Sequence, residues 1–189
     1  MNISIWVRLL RALPLLFLAV HPVFAVDAID KATEMRKIGS WNIIEFAGAE
    51  QIIYRLSTDS IDGAPRHIVF DITPSNDCIP IPAVLIMRLV SYNSAFNGGR
   101  MPFAYKVPGQ KEVFEVTKSE MSEGDLFVFF SFDKLTVSLL RRSGDKGKLA
   151  IWIPPSGDGA IERSSNIYFP LEGFSEASNK ATRLCRENR

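Results

Sequence analysis

The stretch NIYFPLEGFSEASNKATRLC, residues 166–185, decides how the rest of the chain is read. Ile167, Tyr168 and Phe169 crowd aromatic and branched side chains together, so a short strand is expected over Ile167–Leu171. Gly173 follows as a hinge. Phe174, Ala177, Ala181 and Leu184 then recur at i, i+3, i+7 and i+10, which is one face of a 3.6-residue period. Gly173 can serve as the N-cap of this helix, and Glu176 falls in its first turn, near the positive end of the helix dipole. Such a helix is expected to lie against a sheet, with Cys185 near its end to tie it down.

The chain has one other cysteine, Cys78. Whether the two bond depends on the compartment, and the N-terminus bears on that. Arg8 and Arg11 precede an apolar run of eight residues, Leu13–Val20, and Val23-Phe24-Ala25 places small residues before a cleavage point. This is the pattern of a secretory signal over residues 1–25, with the mature chain starting at Val26. The run is too short to cross about 30 Å of hydrocarbon, and Pro14 and Pro22 interrupt it, so no integral membrane anchor is expected after cleavage. In an exported chain, two cysteines most simply make one disulfide, Cys78–Cys185. Two free thiols are the alternative. There is no Cys-x-x-Cys, so a redox enzyme is not suggested.

The length of 189 residues suits one domain, placed at 26–189, and 47% apolar with 23% charged residues is an ordinary globular mixture. Without Arg8 and Arg11, 20 basic side chains remain against 21 acidic ones. This near-neutral balance argues against a nucleic-acid partner, and it gives no electrostatic reason to expect an anionic membrane surface as partner.

Working back from the closing segment, short strands dominate. Trp41–Phe46 and Gln51–Leu56 read as a hairpin across Ala47-Gly48-Ala49. Arg66–Ile72 alternates, with His67, Val69 and Asp71 on one face and Ile68, Phe70 and Ile72 on the other. Ala83–Val90 is almost continuously apolar and reads as a central strand covered on both faces, with a buried helix as the alternative. Phe103–Val107 pairs with Glu112–Val116, Leu126–Phe132 is a core strand, and Leu149–Ile153 is another. Val26–Lys37 reads as a helix or ordered arm, and Asp133–Arg142 as a short helix capped by Asp133. The loops are Ser57–Pro65, Ser91–Arg100 and Pro154–Ser165. Hairpin-length connections between eight to ten strands imply a mainly β fold, an antiparallel sandwich or roll with two or three short helices, one of them C-terminal.

The search for chemistry returns negatives. His67 is the one histidine left after export, since His21 lies in the signal, so no histidine metal site is expected. There is no Gly-x-Ser-x-Gly elbow, and Gly144–Lys148 lacks the length and pattern of a phosphate loop. Asp59 and Asp62 lack calcium-loop spacing and read as turn residues. No catalytic, cofactor or metal residue is assigned. Exposed loops, above all Ser57–Pro65 and Ser91–Arg100, are the expected contact surfaces.

An export signal, an early Trp41-Asn42-Ile43-Ile44 strand, an Asp133-Lys134-Leu135 segment leading through Gly144 and Lys148 to Leu149-Ala150-Ile151, and Phe169-Pro170-Leu171-Glu172-Gly173-Phe174-Ser175-Glu176-Ala177 follow in that order. This order resembles the invasion-associated locus B family of exported bacterial proteins, most closely over Asp133–Cys185. The resemblance implies a β-rich periplasmic or surface protein without established catalysis, tied in some relatives to host-cell entry or envelope stress. It transfers no functional residue. The function expected is a non-enzymatic exported protein binding a protein or envelope component. A periplasmic hydrolase using carboxylates or His67, and an inhibitor or immunity protein of an envelope-active enzyme, stand as alternatives.

Overall fold

The computed structural model describes residues 32–48, 51–89, 96, 98–122, 126–153 and 165–189. The signal segment, the start of the mature chain at Val26 and most of Ser91–Arg100 and Pro154–Ser165 lie outside them.

Ten strands form one antiparallel sheet. They are β1 (Ala32–Ile38), β2 (Trp41–Ala47), β3 (Ile52–Asp59), β4 (Arg66–Ile72), β5 (Val84–Arg88), β6 (Arg100–Lys106), β7 (Val113–Met121), β8 (Phe127–Ser131), β9 (Lys148–Ile153) and β10 (Ser165–Pro170). Two helices complete the fold, α1 (Val137–Arg141) and α2 (Phe174–Glu187). The strand order is β1-β2-β3-β4-β5-β8-β7-β6-β9-β10. Strand periodicity places one set of side chains on the inner face, and Trp41, Leu56, Phe70, Leu85, Phe103, Phe130, Ile151 and Phe169 are buried there in a single cluster. Strands from both ends of the order share that cluster because the sheet rolls. The last strand comes round to the first half, where the Ile61 N–H donates to the Tyr168 carbonyl (2.9 Å).

The C-terminal segment closes the roll. Trp41 donates its indole N–H to the Pro170 carbonyl (3.1 Å), and its ring meets Phe174 edge-on at 4.7 Å and Phe70 at 6.1 Å. Gly39, in the β1–β2 turn, and Gly173, at the N-cap of α2, both have left-handed backbones, with φ of 57° and 80°. They also touch: a Cβ on Gly173 would lie 2.7 Å from the Ile38 carbonyl oxygen, and one on Gly39 would lie 2.6 Å from that of Glu172. Ser40 N–H donates to the Glu172 carbonyl across this contact (3.1 Å). Both positions therefore need glycine for space as well as for conformation.

Because Gly173 has no side chain to cap α2, Asp145 supplies the acceptor, taking the backbone N–H (2.9 Å) and hydroxyl (2.6 Å) of Ser175. Phe174, Ala177, Ala181 and Cys185 form the buried face of α2. Its far end is held by the Cys78–Cys185 disulfide, with Cα atoms 5.8 Å apart, and by Asn188, which donates to the Tyr54 hydroxyl (2.7 Å).

The strand-and-helix expectation for the closing segment, the hairpins and the antiparallel class all match this structure. Three local expectations do not. Ala32–Ile38 is an edge strand paired with β2 rather than part of a helix; its charged residues decorate an exposed edge, as edge strands commonly do. Helix α1 starts later than expected: the Thr136 side chain caps it by accepting from the Leu139 N–H, and Asp133 lies three residues ahead, its main-chain N–H donating to Glu115 (2.7 Å). Ser57, Thr58 and Asp59 belong to β3 rather than to the following loop. The outer cover on β5 is a small second cluster of Val69, Val84 and Phe129, with Ile86 and Phe127 packed beside it.

Replacing both bridged cysteines by serine opens a cross-link spanning 107 residues and is expected to lower unfolding free energy by about 4 kcal/mol in chemical denaturation. A loss below about 1 kcal/mol would show that α2 is held without the bridge. Gly173→Ala is expected to cost at least ~2 kcal/mol more than Gly109→Ala. Gly109 shares the positive φ (75°) but has open space around it, so equal losses would mean that the close approach carries no energy.

Candidate contact surface

The histidine and the aspartates singled out by sequence sit on or near the outward face of the first half of the sheet. His67 Nδ1 lies 2.6 Å from Asp59 Oδ1, and both side chains are well exposed. Among the described residues no hydroxyl or thiol hydrogen-bonds the other ring nitrogen. Asp62 shapes its turn. It accepts from the Ser60 hydroxyl, the Ala64 N–H and Arg66, and the Ser60 bond first of all holds its carboxyl below the usual value. This is the turn chemistry expected for Asp62, whereas Asp59 ends β3 and faces His67. Beside them Arg55 and Asp71 form a two-pronged ion pair (2.6 and 2.7 Å) under the Phe46 ring, whose centroid is 5.2 Å from the guanidinium carbon.

Possible cavities offer little. A shallow cleft opens between β1, β2, β3 and α2, lined by Glu34, Arg36, Ile43, Glu45, Tyr54 and Leu184. It is open to solvent and small for a ligand site. Its two carboxylates are engaged, Glu34 by Arg36 and Glu45 by Thr33. Among the described residues no group of three or more His, Cys, Asp or Glu side chains is placed to hold a metal.

The unusual surface is on the second half of the sheet and starts in β7, VFEVTKSEM. In most strands the apolar set faces the core. Here the middle of the strand is inverted: Glu115, Thr117 and Ser119 point inward, and Phe114 and Val116 point out, 66% and 59% exposed. The inward set is imperfectly served. Glu115 Oε2, Ser119 Oγ and the hydroxyl of Tyr105 are buried without a hydrogen-bond partner among the described residues. Burial, and the neighbouring Glu115 carboxylate, push the Tyr105 phenol well above its usual pKa.

Register extends the outward patch across three neighbours. Phe114 is opposite Ala104 on β6, and Ala104 is opposite Trp152 on β9. Val116 is opposite Pro102 one row along, and Tyr168 on β10 is opposite Ala150 one row the other way. Trp152 and Tyr168 are 37% and 44% exposed, while Ala104 between the two large rings is fully covered. At strand spacings these rows span about 14 Å by 14 Å. Cations flank them, Lys118 opposite Arg100 past Val116, Lys106 in the row of Ala150 and Tyr168, and Lys148 one row past it. None of the four is in an ion pair among the described residues.

Of the expected contact loops, Ser57–Pro65 is described and is bound up with its own turn and with β10, while Ser91–Arg100 lies mostly outside the described residues. Sequence reasoning missed the patch itself. The signal for it, two large apolar residues at alternate positions with Glu115 between them and Thr117 after, is present in Phe114–Thr117.

No protein-family model matches the sequence, and no curated protein matches it. Among solved structures, the fold is similar to the crystal structure of invasion associated protein B from Bartonella henselae. The two share 21% sequence identity and a TM-score of 0.55, over 83% of this chain and all of the other. The likeness establishes a shared fold with that protein.

Proposed function

We propose that this is an exported, non-enzymatic binding protein of the bacterial periplasm or cell surface, allied to the invasion-associated locus B proteins, and that it makes contact through the outward face of β6, β7, β9 and β10. The observation that carries this reading is the inversion in β7. Exposing Phe114 and Val116 while turning the half-buried Glu115 inward and burying Ser119 works against folding, so the arrangement is better explained by a use for the outer face. Contiguous exposed apolar side chains of this kind mark interaction sites on soluble domains. The disulfide suits an oxidising compartment, and no helix among the described residues is long and apolar enough to cross a membrane. The fold it shares with a protein described as invasion associated supports a part in host contact. The surroundings of His67 favour no hydrolytic reading over this one.

The test is retention of the mature chain on isolated bacterial envelopes. The Phe114→Ser/Trp152→Ser variant, whose sites are exposed and outside the main core, is expected to keep its unfolding midpoint and to be retained at least fivefold less than the parent, roughly the loss of one kcal/mol of contact. Equal retention of the two proteins would remove this face from the proposal.

A further inference from the structure

Resting on the contact face just described, we infer that its partner is an anionic lipid surface, with the apolar centre entering the bilayer interface and the surrounding cations meeting lipid phosphates. Three features of the face point there. Its centre mixes a ring and an aliphatic side chain, Phe114 and Val116, which can be buried but offer no hydrogen bond to a polar partner. Trp152 and Tyr168 lie at the margin of that centre, with an apolar body and a polar tip, the type of side chain that concentrates where hydrocarbon meets headgroups.

Charge is the third feature. Arg100 and Lys118 flank the centre on one side and Lys106 and Lys148 on the other, all outward and exposed. The outward positions of β6 and β9 hold no acid; Glu112, before β7, and Glu120, at its far end, are the acids on this side of that strand. An apolar centre with cations on both flanks complements a phosphate-covered hydrocarbon layer, since long basic side chains reach headgroups while the centre sinks below them. The near-neutral net charge of the chain conceals this. The strands sort positive side chains to one face, and a bilayer responds to the charge within about a Debye length of it.

Vesicle binding tests the inference with the oxidised mature chain. Trp41 is fully buried, so a change in tryptophan emission on binding reports Trp152. Vesicles of phosphatidylcholine with 30% phosphatidylglycerol, at low salt, are expected to bind the protein, to shift its emission to the blue and, when carrying brominated acyl chains, to quench it. Pure phosphatidylcholine vesicles, or 0.5 M salt, should weaken binding at least ~tenfold, and so should Arg100→Glu/Lys118→Glu. Phe114→Ser/Val116→Ser should abolish quenching by the brominated chains.

Failure to bind the anionic vesicles would overturn the inference, as would binding without quenching or binding indifferent to both variants. Binding to a soluble anionic polysaccharide in preference to vesicles would also overturn it. If vesicles fail while envelope retention still depends on Phe114 and Trp152, the contact face stands and only its lipid partner is lost. If both fail, the face itself is wrong.

Discussion

The fold depends on one contact, the seating of the C-terminal strand and helix against the first hairpin. A ten-stranded antiparallel sheet has two open edges and, laid flat, an exposed apolar face. Here that face is buried because β10 returns to the loop after β3 and α2 caps the first half of the roll. The contact combines three kinds of chemistry at one place. Two glycines let backbones approach more closely than any side chain would permit. Trp41 contributes a ring to the Phe70 and Phe174 cluster and a hydrogen bond to the Pro170 carbonyl. The disulfide, from the other end of α2, limits how far the segment can stray even when the contact opens.

Closure of this kind separates the two faces of the sheet. All the large packing is inside, so the outer face is left for other uses, and the halves use it differently. Over β3 and β4 it carries a self-satisfied polar network in which Arg55, Asp71, Asp59 and His67 pair among themselves. Over β6, β7, β9 and β10 it carries exposed rings between cations that form no ion pair among the described residues, with three buried polar atoms underneath. A surface that is satisfied needs no partner. The second one has apolar area and charge still available, and the functional proposal rests on that contrast.

Much of the closing device could be read from residues 166–185, because strand propensity, a hinge glycine and helical period agree there with the final structure. The disulfide followed from counting cysteines in a chain read as exported. What sequence did not disclose was set by long-range packing. That Gly39 and Gly173 meet depends on two turns far apart in the chain. Asp145, in a loop whose glycines and lysines suggest only a turn, caps a helix 30 residues away. The strand β1 was obscured by its edge position, where charged residues mimic a solvated helix. The contact face was missed because charge was summed along the chain, whereas strands distribute it by alternate positions.

The most direct measure of the closing contact is native-state hydrogen exchange at two protons that lie on it, the Trp41 indole N–H and the Ser40 amide. If the C-terminal segment holds the roll shut, both exchange only through global unfolding, at the rate of the core amides of β8, and with the same dependence on denaturant. Exchange of these two protons through a low-energy opening, while β8 remains protected, would show that the sheet keeps its core without the seated helix and would contradict the account.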